Sequence, residues 1–220
     1  MGATCAIAGS VLLFIGTYLH PMSADPNQAA AAFAEYAADP LWVASHLTQL
    51  AGLALIVAAL LLLAQQLRTG SAAAWAGIAA GAAIVSLAVA VVLQAVDGIA
   101  LKLMVDAWAA APAAQKEGLF HAAFAVRQIE IGLASMASIS LGLTATLYGV
   151  TLLVDQTHPK WVGGLAVLGG VPTMVAGVVI AYEGFSALAM AIYMPASALL
   201  LVWMLILGGF MWRRAGGRPE

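Results

Sequence analysis

Cysteine is nearly absent from this chain: Cys5 is the only one in 220 residues. A single thiol excludes an internal disulfide, a C-x-x-C pair and a cysteine metal cage. Ionisable side chains are almost as scarce, with 8 Lys or Arg and 10 Asp or Glu. So few cations leave no basic surface for nucleic acid. Also missing are H-E-x-x-H, G-x-S-x-G, a Walker loop and a dinucleotide fingerprint. The nearest approach to a nucleophile elbow, Gly184-Phe185-Ser186-Ala187-Leu188, lacks its final glycine. No His-x-x-x-His pair occurs either.

What the chain has is apolar length. Hydrophobic residues make up 64% of it, and its mean hydropathy is +1.00. A helix that crosses a bilayer needs roughly 20 mostly apolar residues. Six segments qualify: residues 3–19, 43–67, 72–96, 132–154, 161–182 and 186–212. Inside hydrocarbon every backbone polar group must be satisfied within the element, which leaves helices or a closed barrel. Barrel strands would alternate in hydropathy over about ten residues, and runs such as 53–63 do not. The fold class is therefore an all-α integral membrane protein. A single six-helix bundle fills residues 1–220, with no soluble domain attached and the lipid bilayer as its main partner.

Lys and Arg set the expected orientation. With a cytoplasmic N-terminus, Arg68, Lys160, Arg213, Arg214 and Arg218 lie inside, and Lys102, Lys116 and Arg127 lie outside. Both termini are then cytoplasmic, as in a multi-pass plasma-membrane protein. No Lys or Arg precedes the first apolar segment, so it reads as an uncleaved helix rather than a signal peptide. The outer connections are long. In the first, Asp25-Pro26 reads as a helix start and Asp39-Pro40 as a stop, predicting a short surface helix over residues 29–38. The second, residues 98–118, predicts an interfacial helix with a modest amphipathic face, broken near Pro112. Mid-helix Pro172 and Pro195 predict kinks near the midplane, and the Gly77–Gly81 pair predicts close helix packing.

An internal repeat is also visible. Trp75-Ala76-Gly77 and Trp161-Val162-Gly163 are 86 positions apart, as are Asp97-Gly98 and Glu183-Gly184. A shift of two helices keeps the orientation, so this predicts a parallel duplication of helices 2–3 as helices 4–5.

The polar residues gather at one level. His20 ends helix 1, His46 begins helix 2, Asp97 ends helix 3 and Glu183 ends helix 5. The repeat aligns Ala44 with Glu130, which brings Glu130 and Arg127 near the height of His46. Imidazole with carboxylate is a donor set for a divalent cation and equally for proton transfer. Ionisable groups at membrane depth are costly, which marks them as functional candidates. The candidate ligands are thus His46, Asp97, Glu130, Glu183 and His20, supported by Arg127, Tyr182 and His121. The plainer reading is that these groups simply touch headgroups or water, and that Arg127 and Glu130 form a local i,i+3 pair. His121 lies some nine residues before Glu130, above the bilayer. His158, in the inner turn, reads as surface.

Three function classes fit. One is a binding or transport protein whose outer pocket takes a divalent metal, haem or another small ligand. The second is a zinc-dependent intramembrane lipid hydrolase. The third is a structural or lipid-contacting subunit without a site. Haem would need His20 and His46 to face each other across the porphyrin.

Overall fold

The structure is a computed structural model that describes residues 1–216; Arg218 and Glu220 lie outside the described residues. It is all-helical, at 88% helix, and no strand occurs among the described residues. The helices are α1 (Gly2–Leu19), α2 (Ala29–Ala38), α3 (Trp42–Gln66), α4 (Ala73–Gln94), α5 (Lys102–Ala110), α6 (Ala113–Val154), α7 (Lys160–Glu183) and α8 (Ala187–Gly216). A π-helical turn, Ala95–Leu101, joins α4 to α5. Six helices are long and apolar enough to cross a membrane, α4 and α5 counting as one through that turn.

These six close into a ring. Around it α1 packs on α3, α3 on α4, α4 on α6, α6 on α7, α7 on α8, and α8 back on α1. Glycine sets the tightest contact of the first pair: a Cβ on Gly52 of α3 would lie 2.5 Å from the Leu13 nitrogen and 2.7 Å from the Gly9 oxygen of α1. Those neighbours are backbone and cannot rotate away. By contrast Gly77 and Gly81 have nothing within 4 Å, so their expected packing role within the chain is not observed. Gly52→Leu is accordingly expected to lower the unfolding midpoint in detergent sharply. Gly77→Leu, on an open surface, should leave it nearly unchanged.

The ring has two unlike ends. Arg68, Lys160, Arg213 and Arg214 mark the basic end. Between that end and the ring's middle lies a core that includes Leu60, Leu63, Tyr148, Leu152, Trp203 and Leu207. Two polar contacts cross between helices here: the Tyr148 hydroxyl donates to the Leu60 carbonyl at 2.8 Å, and Ser86 and Thr144 share a bond of 2.9 Å, whereas the Trp203 indole nitrogen is buried without a partner. At the opposite, cap end, α2 lies over the bundle. A second core of Phe33, Tyr36, Trp42, Leu101, Val105 and Ala123 fills the space beneath it. Lys102 Nζ ties the cap down, donating to the Tyr36 carbonyl at 2.9 Å and the Ala37 carbonyl at 3.0 Å. A cation there meets the orphan carbonyls of α2's C-terminus.

Several boundaries differ from expectation. The surface helix 29–38 is found as α2. The separate interfacial helix is not: α4 runs through the π turn into α5 without a break and stops at Ala111, and Pro112 caps the next helix. Helix α6 is 42 residues long where only residues 132–154 were expected. At about 1.5 Å per residue it is longer than the roughly 30 Å hydrocarbon layer of a bilayer; its first turns are exposed, and Phe120 and Ala123 begin its packing on α5 and the cap. Helices α7 and α8 continue through Pro172 and Pro195. The two halves of the expected repeat end differently. Asp97 lies inside a helical turn, whereas Glu183 closes α7 before Gly184, whose φ of 63° reverses the chain.

Another correction concerns His158, expected at the surface but only 4% exposed. Asp155 caps α6 and draws the imidazole in, with Nδ1 2.5 Å from its carboxylate. The Thr157 hydroxyl donates to the same oxygen at 2.7 Å. Burial pushes the His158 imidazole below its ordinary range against the opposing pull of Asp155. Burial also works to raise the Asp155 carboxyl, but the bonds from His158 and Thr157 outweigh it and hold the group low.

Candidate metal centre

Three of the candidate residues meet at the cap end. His20 follows the last turn of α1, His46 is in the second turn of α3, and Asp97 projects from the π turn after α4. One ligand atom from each lies within 4.8 Å of the other two. The π turn matters here, since an extra residue per turn re-aims the side chains that follow. Gly98 lets that turn approach α3: a Cβ there would lie 2.6 Å from the His46 Cβ.

Hydrogen bonds fix which ring nitrogens face the cluster. His46 Nδ1 is 2.7 Å from the Trp42 carbonyl, and His20 Nδ1 is 2.8 Å from the Pro21 carbonyl. A carbonyl only accepts, so each Nδ1 carries the proton and each neutral ring presents the Nε2 lone pair. This is how metal-binding histidines are commonly oriented. His46 Nε2 in turn faces Asp97 Oδ2 at 3.1 Å. Two acceptors at that distance need a proton or a cation between them. The second Asp97 oxygen, Oδ1, is buried without a hydrogen-bond partner.

Trp42 organises the surroundings. Its ring centroid is 4.7 Å from His20, 4.6 Å from His46 and 4.2 Å from Tyr36. Its indole nitrogen donates to the Asp97 carbonyl at 3.0 Å. Burial, followed by the charge of His46, pushes the His20 imidazole below its ordinary range, against the pull of Asp97 and the Pro21 carbonyl. Burial likewise pushes the Tyr36 phenol up to about 12.

The chain matches no family model, no curated protein and no solved structure. What the centre does therefore rests on its geometry.

The other candidates fall into two groups. Glu130 and Arg127 are buried near the centre but spent on each other: Arg127 Nη1 donates to Glu130 Oε2 at 2.5 Å. The guanidinium also lies 5.6 Å from the Tyr36 ring centroid and 5.1 Å from that of Phe185, and donates to the Pro26 carbonyl at 3.4 Å. This pair pins the cap to α6, and Glu130 is not in the ligand set. Glu183, Tyr182 and His121 lie apart from it. Glu183 is exposed and accepts from Ser186 at 3.0 Å, and Tyr182 is 87% exposed. His121 faces outward one turn beyond Glu117 on the projecting part of α6. The repeat aligned Glu183 with Asp97 and depth put both at one level, but Glu183 closes α7 with an exposed carboxylate that accepts from Ser186.

The donor set suits a bare ion. A porphyrin does not fit between the imidazoles, whose centroids are 5.0 Å apart and which both pack on Trp42. Sequence reasoning missed Trp42 and Tyr36. The available signal was Trp42 one helical turn before His46, a spacing that stacks side chains on one face.

Proposed function

We propose that this is a multi-pass plasma-membrane protein, with both termini cytoplasmic, that binds a divalent transition-metal ion at His20, His46 and Asp97 on its outer face. The observation that carries the reading is the pair of imidazoles whose Nδ1 atoms are each turned to a carbonyl, beside a carboxylate with one unpartnered buried oxygen. Two neutral imidazoles and one carboxylate suit zinc, and the set also matches the donors of non-haem iron sites. Three protein ligands leave a position for water or an external donor, the arrangement of open rather than structural zinc sites. The packed core between the ring's middle and the basic end favours binding over passage of the ion through the ring.

The test is the metal content of protein purified in a neutral detergent and dialysed against zinc. About one ion per chain is expected, retained at neutral pH and released as pH falls through the histidine range. Absence of any bound divalent metal would reduce the cluster to a hydrogen-bonded His–Asp pair in a structural subunit. Orientation has its own test. Single cysteines at Glu35 and Gln156, in a Cys5→Ala background, should label from opposite faces of sealed vesicles, Glu35 from outside; labelling of both from one face would overturn the topology.

A further inference from the structure

At the basic end, far from the metal centre, a groove runs between α7 and α8. Trp161, Ile206, Gly209, Phe210 and Arg213 line it, and it encloses about 300 Å³. Gly209 contributes no side chain to it, and a Cβ built there would meet nothing within 4 Å, so the space over it is open. Trp161 and Phe210 meet edge to face, with centroids 5.9 Å apart. Four of the five lining residues are apolar or lack a side chain, and the fifth is a cation.

Of the cations at this end, Lys160 and Arg214 are already engaged, and Arg68 does not line the groove. Lys160 Nζ is given to the Leu153 and Asp155 carbonyls. Arg214 bonds the Thr157 carbonyl and hydroxyl. Asp155, the one acid at this end among the described residues, is taken by His158 and Thr157. Arg213 pairs with no acid among the described residues and lines the groove.

We propose that this groove binds one anionic phospholipid, its acyl chain against Gly209 and its phosphate at Arg213. The chemistry selects such a ligand over others. An inorganic anion would use the guanidinium and leave the apolar wall unused. A zwitterionic lipid would fill the wall but carry its own cation to Arg213. A tryptophan and an arginine at a helix end sit at headgroup depth in a bilayer, and basic pockets between membrane helices on the cytoplasmic side suit anionic headgroups. The inference rests on the membrane-spanning reading and is independent of the metal centre.

The experiment compares phosphatidylglycerol with phosphatidylcholine of the same chain length, added to the detergent-purified chain. Bound lipid is counted by native mass spectrometry and the unfolding midpoint is followed. Phosphatidylglycerol should be preferred about fivefold, the gain of one basic residue near an anionic surface, and should raise the midpoint more. Arg213→Gln should remove the preference, and Gly209→Leu should remove it by filling the groove. Gly77→Leu, another open glycine, should keep it. Equal binding of both lipids, or a preference that survives in both groove variants, would mean only annular lipid and would overturn the proposal. Stabilisation by inorganic phosphate alone would overturn the lipid assignment. A chain recovered from the soluble fraction without detergent would instead overturn the membrane reading beneath it.

Discussion

His46→Ala is expected to abolish stoichiometric zinc binding, measured as metal per chain after dialysis and by competition with a chelating dye. The loss should exceed the roughly 10–100-fold that removal of an outer-shell partner costs, because a ligand goes and Asp97 loses its neighbour together. Asp97→Asn should do the same by removing the charge while leaving the shape. Trp42→Phe keeps the carbonyl that orients His46 but loses the indole's bond to the Asp97 carbonyl, so it belongs in the outer-shell range. Glu183→Gln and His121→Ala should bind as wild type, being remote and exposed. The pH profile carries a further sign. Ligation requires neutral imidazole, and burial pushes the His20 ring below its ordinary range. That ring therefore stays competent to a lower pH than a free histidine. Wild-type affinity in His46→Ala would show that the cluster is not the site.

Where burial alone decides, the fold was legible. Apolar length located the six helices long and apolar enough to cross a membrane, and Asp39 ends α2 as its C-cap, whereas Asp25-Pro26 forms a turn ahead of the helix, which starts three residues later behind Gln28. The extent of α6 was hidden, since its added turns carry Lys116, Glu117 and His121 and are anchored through Phe120, whose partners are Trp108 of the neighbouring α5 and Phe33 from distant sequence. His20, His46 and Asp97 were found by depth, a property that helical rise converts directly from residue count. Depth does not give azimuth or the path of a turn. That is why Glu183, at a similar depth but at the exposed end of α7, was grouped with residues it does not meet. Glu130 was grouped correctly in space but assigned the wrong partner. The plainer i,i+3 pairing with Arg127 prevails, because a buried guanidinium needs a carboxylate more than an ion site needs another ligand.

That pairing gives the second large effect. Arg127 and Glu130 are 4% and 2% exposed, so removing either leaves an uncompensated charge in a low-dielectric site. Arg127→Ala and Glu130→Ala are each expected to cost about 3–5 kcal/mol, read from reversible unfolding in mixed detergent micelles. Arg127→Ala should be the worse, since it also gives up the Pro26 carbonyl and the faces of Tyr36 and Phe185. Arg127→Lys should recover only part of the loss, because an ammonium keeps the charge but not the planar stacking or the fork. The double replacement Arg127→Met with Glu130→Leu removes both charges and fills the space. It should cost far less than the sum of the single changes, with a coupling of the order of the pair itself. Zinc content separates this role from ligation: Glu130→Gln should keep the metal where His46→Ala loses it. Additive effects of under about 1 kcal/mol each would place the pair in water, and loss of zinc in Glu130→Gln would return the carboxylate to the ligand set.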